Sequence, residues 1–269
     1  MVRISKRAFL LGLAIALTGG APSAGALSFQ WDENPWPGPP GSTLVHTYNG
    51  IGNGSIEVTV NDARGSLVRT GSPASPDSNN YLDPTGNGGE HSFFVRADGN
   101  DASPWITILF DFDNAVGGRT AIRDLIFSFY DVDANPPTSW RDVIFFRGTL
   151  ADGSFVAPTS VTGPGASPSW TYAVVGVGTT GRLRGITPNQ PSSGPGSENG
   201  TATILFDQEI TELWVEYRNA HAGGTNQWIA ISNMSFTEVP EPEALVLLAM
   251  SLLGLAVAGR KLERNCARQ

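Results

Sequence analysis

The chain has 269 residues, a formal net charge of −8 and a single cysteine. Residues 27–238 hold 22 Asp and Glu, 10 Arg and no Lys. This region therefore carries a charge of about −12, which disfavours nucleic acid and anionic lipid as partners and suits cations or neutral glycans better. Because the cysteine is Cys266, the region contains no disulfide, and its stability must come from burial and hydrogen bonding.

The N-terminus has the three parts of a secretory signal peptide. An uncharged apolar stretch over 8–17 follows three basic residues, Arg3, Lys6 and Arg7. Ala24 and Ala26 then form the small-x-small pattern that signal peptidase accepts. The pattern predicts that residues 1–26 are removed and that the mature chain begins at Leu27. An uncleaved anchor is the alternative, but the apolar stretch is shorter than a membrane span.

Short runs of β-branched and aromatic residues alternate with segments rich in Gly, Pro, Ser, Thr and Asn throughout residues 27–238. No long helical period appears, so we predict an all-β extracellular domain, an antiparallel β-sandwich of jelly-roll type. Two small domains are the alternative. The polar segments 73–89 and 187–200 are expected at sheet ends or edges. The predicted strands cover residues 43–49, 55–60, 92–96, 105–112, 122–132, 142–150, 154–161, 170–175, 201–206, 210–218 and 227–236.

The alternation of side chains along these strands predicts which of them face the core. Asp152-Gly153, between two strands, favours the positive φ of a tight hairpin. In the strand over 122–132, Ser128 and Tyr130 are expected on the face away from the core. The predicted core-facing residues of the two most apolar strands are Ile108, Phe110, Phe112, Leu125, Phe127 and Phe129.

Oxygen-bearing side chains recur at alternate positions after the strand over 122–132. Asp131, Asp133 and Asn135, with Asp142 further on, have the spacing of ligands that could converge on Ca²⁺. Pro136 occupies the position where an EF-hand requires Gly, so an EF-hand is rejected. A calcium-binding loop between two strands is the hypothesis, and an acidic loop whose side chains cap backbone amides is the alternative.

Tryptophans supply a second candidate site, because sugar-binding surfaces stack aromatic rings on the apolar faces of pyranosides. In the strand over 210–218, the period of two places Trp214 on the polar face with Glu212, Glu216 and Arg218. The alternative is that these rings pack the core. Four further tryptophans, among prolines or at expected loop-to-strand junctions, are also candidates for exposure: Trp36, Trp140, Trp31 and Trp170.

No catalytic residue is assigned. Asp111 and Asp113 are paired carboxylates of the kind that a glycosidase uses, but they are expected to end a strand and solvate it. The three histidines show neither metal-ligand spacing nor a nucleophile motif: His46, His91 and His221.

The C-terminus carries three features in order. Val239-Pro240-Glu241-Pro242 cannot continue a strand or a helix, because each proline fixes φ and removes a donor. The apolar run 244–258 is shorter than the roughly 20 residues of a full span, so it would cross with help from snorkelling basic residues. The positive-inside rule places the end that follows it in the cytoplasm. Its basic residues are Arg260, Lys261, Arg264 and Arg268.

This order of proline hinge, transmembrane helix and basic end, over residues 239–269, resembles the PEP-CTERM sorting signal of Gram-negative bacteria. Two departures are Glu243, where that family has a small or hydroxylated residue, and Glu263 inside the basic cluster. An ordinary membrane anchor is the alternative. The resemblance implies transient retention in the inner membrane, cleavage by an exosortase-like transpeptidase, and delivery to the cell surface or extracellular matrix. Such proteins typically accompany exopolysaccharide production.

These observations together predict an exported, non-enzymatic surface or matrix protein of a biofilm or floc that binds polysaccharide, calcium or both. A secreted polysaccharide-acting hydrolase is the rival, and its mark would be two facing carboxylates, one with a raised pKa. A structural domain without a ligand is the third possibility.

Overall fold

A computed structural model describes residues 25–37, 44–62, 65, 67–68, 75–79, 91–97, 105–114, 119–135, 140–163, 168–187, 197–219 and 227–239. The predicted signal peptide up to Ala24, the Pro-Glu-Pro motif, the apolar run 244–258 and the basic end lie outside these residues. Within the described ranges, no helix has the length and apolar character that crossing a membrane requires.

The described residues form an almost purely β structure, as predicted. One 3₁₀ turn, Ser197–Gly200, accompanies the strands. In chain order the strands are β1 (Ala26–Phe29), β2 (Val45–Ile51), β3 (Gly54–Asp62), β4 (Asp77–Asn79), β5 (Ser92–Ala97), β6 (Trp105–Asn114), β7 (Ile122–Tyr130), β8 (Ala134–Asn135), β9 (Trp140–Thr149), β10 (Phe155–Val156), β11 (Ser160–Thr162), β12 (Trp170–Val175), β13 (Thr180–Gly185), β14 (Ala202–Phe206), β15 (Glu212–Asn219), β16 (Gln227–Ile231) and β17 (Met234–Glu238).

The strands form two antiparallel sheets, which is the architecture of a β-sandwich. In the first sheet the order is β1-β17-β7-β16-β5-β4, and β14 joins β11 to the other edge of β7. In the second the order is β12-β13-β9-β15-β6-β3-β2, with the short strands β10 and β8 also paired to β9. Each pairing is antiparallel, so hairpins and longer loops connect the strands without crossover helices.

The core lies between the sheets, where side chains of alternate positions meet. Phe129 of β7 faces Phe146 of β9 with ring centroids 5.3 Å apart, and Phe112 of β6 faces Phe236 of β17 at 5.8 Å. The predicted core-facing residues of β6 and β7 are all buried, as expected from the period of two. Tyr130, expected on the opposite face, packs there in a small separate cluster with Phe94 and Ala230.

The predicted hairpin is confirmed. The Leu150 amide donates to the Ser154 carbonyl at 2.8 Å, Gly153 has a φ of 82°, and Phe155 pairs with Thr149 beyond the turn. A positive φ costs least for a residue without a Cβ, and glycine supplies it here.

Strand boundaries differ from the predictions where other hydrogen bonds or a positive φ interrupt the hydrogen bonding between strands. The single strand expected over 227–236 is two strands, separated at Ser232 and Asn233. There the Asn233 side chain accepts from the Trp31 amide at 2.8 Å, and the Ser232 carbonyl accepts from the Trp31 indole at 3.0 Å. Strand β7 ends at Tyr130, earlier than expected, because Asp131 adopts a φ of 66°.

Four strands were not predicted: β1, β4, β8 and β13. Asp77–Asn79 lies inside the expected polar loop 73–89 and pairs with β5 at the edge of the first sheet. Strand β13 contains two glycines and two arginines, and Thr180 is its single β-branched residue, so its composition gives little signal of a strand. It forms between β12 and β9 because both neighbours supply hydrogen-bonding edges.

The two ends of the sandwich lie side by side. Leu27 pairs with Phe236, and Phe29 pairs with Met234. Strand β1 begins at Ala26, so the predicted signal-peptidase site between Ala26 and Leu27 lies at the start of this strand. Glu238 ends the last strand, and its carboxylate accepts from the Asn53 amide at 2.9 Å. The predicted processing sites thus flank a paired edge of the first sheet.

Candidate functional site

The outer face of the second sheet is built by the alternation of β9, β13 and β15. Ile144, Leu183 and Val215 point into the core and are fully buried. Their neighbours in each strand therefore point away from the core. The side chains that point outward include aromatic and basic ones. A group of basic side chains is unusual in a region with so large an excess of carboxylates.

An aromatic and arginine cluster on this face is formed by side chains of β9, β10 and β15. Strand register places Trp214 of β15 opposite Arg147 of β9 and opposite Leu109 of β6. The Arg147 guanidinium carbon lies 3.7 Å from the ring centroid of Phe155 and 4.5 Å from that of Trp214. Both distances are those of cation–π contacts, which hold the three groups together.

The prediction that Trp214 lies on the face away from the core is confirmed, since its neighbours Leu213 and Val215 are buried and its own side chain is partly exposed. Phe155 beside it is 42% exposed. The rings present apolar area bordered by a cation, the composition that carbohydrate surfaces use.

The other tryptophans divide between core and surface. Trp36 was a candidate for glycan stacking, but it is 4% exposed and packs against Phe93 with ring centroids 5.0 Å apart, so a sugar cannot stack on it. Trp31 and Trp170 are buried as well, which corrects the expectation of exposure. Trp140, the first residue of β9, is partly exposed and remains a candidate.

Glu216 was expected to share the exposed polar face with Trp214, and it is buried instead. Its carboxylate accepts from Arg218 Nε, and the Arg218 guanidinium lies 5.0 Å from the centroid of the Phe145 ring. The long side chains of this row cover the carboxylate, as amphipathic side chains do on a sheet surface.

Acidic side chains from three neighbouring strands meet on the same face beside the aromatic cluster. Asp111 of β6 lies opposite Glu212 of β15 on one side and Glu57 of β3 on the other. Arg119 Nη2 lies 3.6 Å from Asp111 and 3.4 Å from Glu212. Burial raises the pKa of Asp111 to about 6, Arg119 opposes the rise, and the carboxylate of Asp113 adds to it.

The opposition of Asp111 and Glu212 was missed in the sequence, because the two residues lie about a hundred positions apart and only strand pairing brings them together. The arginines of β13 were missed too. An Arg-Leu-Arg alternation at 182–184 is a signal that could have indicated a strand with one basic face.

The residues predicted to bind calcium approach each other beneath the end of the second sheet. Asp131, Asp133 and Asp142 are 7%, 2% and 1% exposed. A Cβ at Gly185 would lie 1.8 Å from the Asp133 carbonyl oxygen, so only glycine permits this close approach of β13. Of Asn135 the structure gives the backbone position in β8, paired with Trp140.

Hydrogen-bond donors occupy the carboxylate of Asp142. Tyr217 donates its hydroxyl to Oδ1 at 2.7 Å, and the Asp133 amide donates to Oδ2 at 3.1 Å. Burial raises the pKa of Asp142 and of Asp131, while donors from Tyr217 and Trp228 respectively oppose the rise. In the described part of the chain, no group of three or more His, Cys, Asp or Glu side chains is arranged to hold a metal. The arrangement favours the alternative of an acidic loop that binds backbone amides.

No family model and no curated protein matches this chain. The fold and the outer face define an acidic all-β sandwich with an aromatic and arginine surface.

Proposed function

We propose that the protein is exported, processed by an exosortase-like enzyme, and displayed at the cell surface or in the extracellular matrix, where it binds polysaccharide without acting on it. The jelly-roll topology expected from the sequence is part of this proposal. Its first support is the order of signal peptide, sandwich, proline hinge, apolar run and basic end. Cleavage at both predicted sites would leave β1 and β17 paired.

The observation that carries binding is the cluster of Trp214, Phe155 and Arg147 on the outer face of the second sheet. Phe155 is 42% exposed and Trp214 is partly exposed, so apolar area of both rings is accessible to a ligand. Rings fixed on a rigid sheet can meet a sugar without losing much conformational freedom.

Binding is tested with the full chain by affinity electrophoresis in gels that contain the polysaccharides of a biofilm-forming bacterium. We expect retardation by wild type and loss of about tenfold in affinity for Trp214→Ala, the order expected when one stacking ring is removed. The matched control is Trp228→Ala, because Trp228 is also partly buried but belongs to the small cluster on the first sheet. Equal retardation of the wild type and both variants would contradict a site at Trp214.

The sorting proposal has its own test. Replacing Pro240-Glu241-Pro242 by Ala-Ala-Ala should leave the chain in the inner-membrane fraction with its C-terminus attached. The wild type should appear in the extracellular fraction and lack the C-terminal epitope. Identical distribution and size of the two proteins would contradict processing at this motif.

The second candidate function is hydrolysis of a polysaccharide, and the facing carboxylates of Asp111 and Glu212 favour it. The carboxyl group of Asp111, with a pKa of about 6, could donate a proton near neutral pH, and Glu212 would supply the second carboxyl group that glycoside hydrolysis uses. Release of reducing ends by wild type, and its loss in Asp111→Asn and Glu212→Gln, would support the hydrolase. Binding without release would support the non-enzymatic function.

A further inference from the structure

Half of the arginines of residues 27–238 lie on three adjacent strands. Five of the ten belong to β9, β13 and β15, and the alternation of these strands directs all five outward. We define this surface, together with Trp214 and Phe155, as the arginine face. Its arginines are Arg141, Arg147, Arg182, Arg184 and Arg218.

Carboxylates neutralise this surface only in part. Of the two acidic side chains that point outward from the same strands, Glu216 pairs with Arg218, and Glu212 accepts from Thr149 at 2.9 Å and faces Arg119. Within the described ranges, Arg147, Arg182 and Arg184 have no carboxylate at ion-pair distance. The arginine face therefore keeps an excess of positive charge in a region of about −12.

The three unneutralised arginines form a compact group. Arg182 lies opposite Phe145, and Arg184 lies opposite Val143, in the pairing of β13 with β9. Arg147 follows Phe145 by two residues on the same face, so it is a diagonal neighbour of Arg182. Neighbouring strands are about 4.8 Å apart and alternate residues about 7 Å. One extended chain of sugars can meet these guanidinium groups and the ring of Trp214 together.

We propose that the arginine face binds a carboxylate-bearing polysaccharide, such as a polyuronate. This inference rests on the proposed polysaccharide binding and names its class of ligand. Guanidinium groups bind carboxylates in a bidentate geometry. The rings of Trp214 and Phe155 pack against the apolar faces of the sugars. The net charge of residues 27–238 favoured neutral glycans, but the distribution of charge on this face favours an acidic one.

A polyuronate fits better than nucleic acid, which is the other common extracellular polyanion. DNA presents one charge per about 1.7 Å of helix axis, and the row of Glu57, Asp111 and Glu212 borders the arginine face on the side of β6 and β3. A polymer with one carboxylate per sugar carries charge at wider spacing and can follow the basic strands alone.

The probe is alginate, and its carboxyl-reduced form is the neutral control with the same backbone. With the full chain, we expect calorimetric binding of alginate at least about tenfold tighter than of reduced alginate. The preference should shrink between about 0.01 M and 1 M salt, where the Debye length falls from about 30 Å to about 3 Å. The double variant Arg182→Gln/Arg184→Gln should lose about tenfold in alginate affinity. Melting temperatures establish that the variants are folded.

The matched control is Arg123→Gln, because Arg123 is 54% exposed and lies on β7 in the other sheet. It should bind alginate like wild type. Equal binding of alginate and reduced alginate, with no effect of the double variant, would overturn the inference and leave polysaccharide binding intact. Binding to neither polymer would overturn the inference, and polysaccharide binding would be overturned as well if the protein were also not retarded in the affinity gels. Tighter binding to double-stranded DNA than to alginate, lost in the double variant, would assign the arginine face to nucleic acid and overturn the proposal.

Discussion

Two buried tyrosines of this sandwich differ in what their hydroxyl groups contact. Tyr217 is fully buried, and its hydroxyl donates to Asp142 Oδ1 at 2.7 Å. Tyr48 is 5% exposed, and its buried hydroxyl has no hydrogen-bond partner in the described part of the chain. Burial raises the pKa of both tyrosines, so both hydroxyls stay protonated near neutral pH. Removing the Tyr217 hydroxyl therefore tests the free energy of one buried hydrogen bond, and removing the Tyr48 hydroxyl tests the cost of burying a hydroxyl without a partner.

Tyr217→Phe leaves Asp142 Oδ1 buried without its donor, and an unsatisfied buried acceptor costs about 1–3 kcal/mol. In a domain of about 200 residues, each kcal/mol shifts the melting temperature by about 2–4 °C. We expect a fall of roughly 4–8 °C for a central cost of about 2 kcal/mol. Tyr48→Phe removes a hydroxyl that was desolvated without compensation, so its stability should be unchanged or higher by up to about 1 kcal/mol.

The assay is thermal and urea unfolding of the two variants at pH 7, followed by circular dichroism and tryptophan fluorescence. Each ring keeps its packing, so the m-value should not change, and the difference should appear in the midpoint. Equal midpoint shifts for the two variants would refute the assignment of the stabilising contact to Tyr217 and Asp142. A variant Tyr217→Phe as stable as wild type would refute it directly.

Three further predictions concern the acidic clusters and one close backbone contact. Because Asp111 binds a proton up to about pH 6 when folded and up to about pH 3.9 when unfolded, its contribution to stability falls as pH rises between these values. Asp111→Asn should reduce the difference in unfolding free energy between pH 4 and pH 7, as measured by urea titration. A difference identical to that of the wild type would contradict burial of Asp111. Millimolar calcium should leave the melting temperature unchanged, because hydrogen-bond donors occupy both carboxylate oxygens of Asp142; a rise with calcium that Asp133→Asn abolishes would contradict this and restore the calcium site. Gly185→Ala should destabilise by at least about 3 kcal/mol in the same unfolding assay, and a near-neutral effect would contradict the contact with the Asp133 carbonyl.

The sequence determined the fold class because the period of two is local information. Ile108, Phe110 and Phe112 recur at every second position of one strand, and that period of two alone indicates that their side chains share one face. The turn at Asp152-Gly153 was equally local, since the need for a positive φ is met within the dipeptide. The outward position of Trp214 followed from the same rule. Each of these features needed no knowledge of a partner strand.

Pairing between strands that are distant in sequence was decided only by the tertiary structure. No local pattern places Asp111 opposite Glu212, or Arg147 between Trp214 and Phe155, because register depends on which edges meet. Burial of Trp36 also depended on tertiary packing. Its flanking prolines suggested exposure, but it packs against Phe93 and is buried. The arginine face exists because β13 joins β9, although the residues of β13 by themselves have little strand propensity. The charges and the periodicity can be determined from the sequence alone. The surfaces that the charged and aromatic residues form depend on the order of the strands in the sheet.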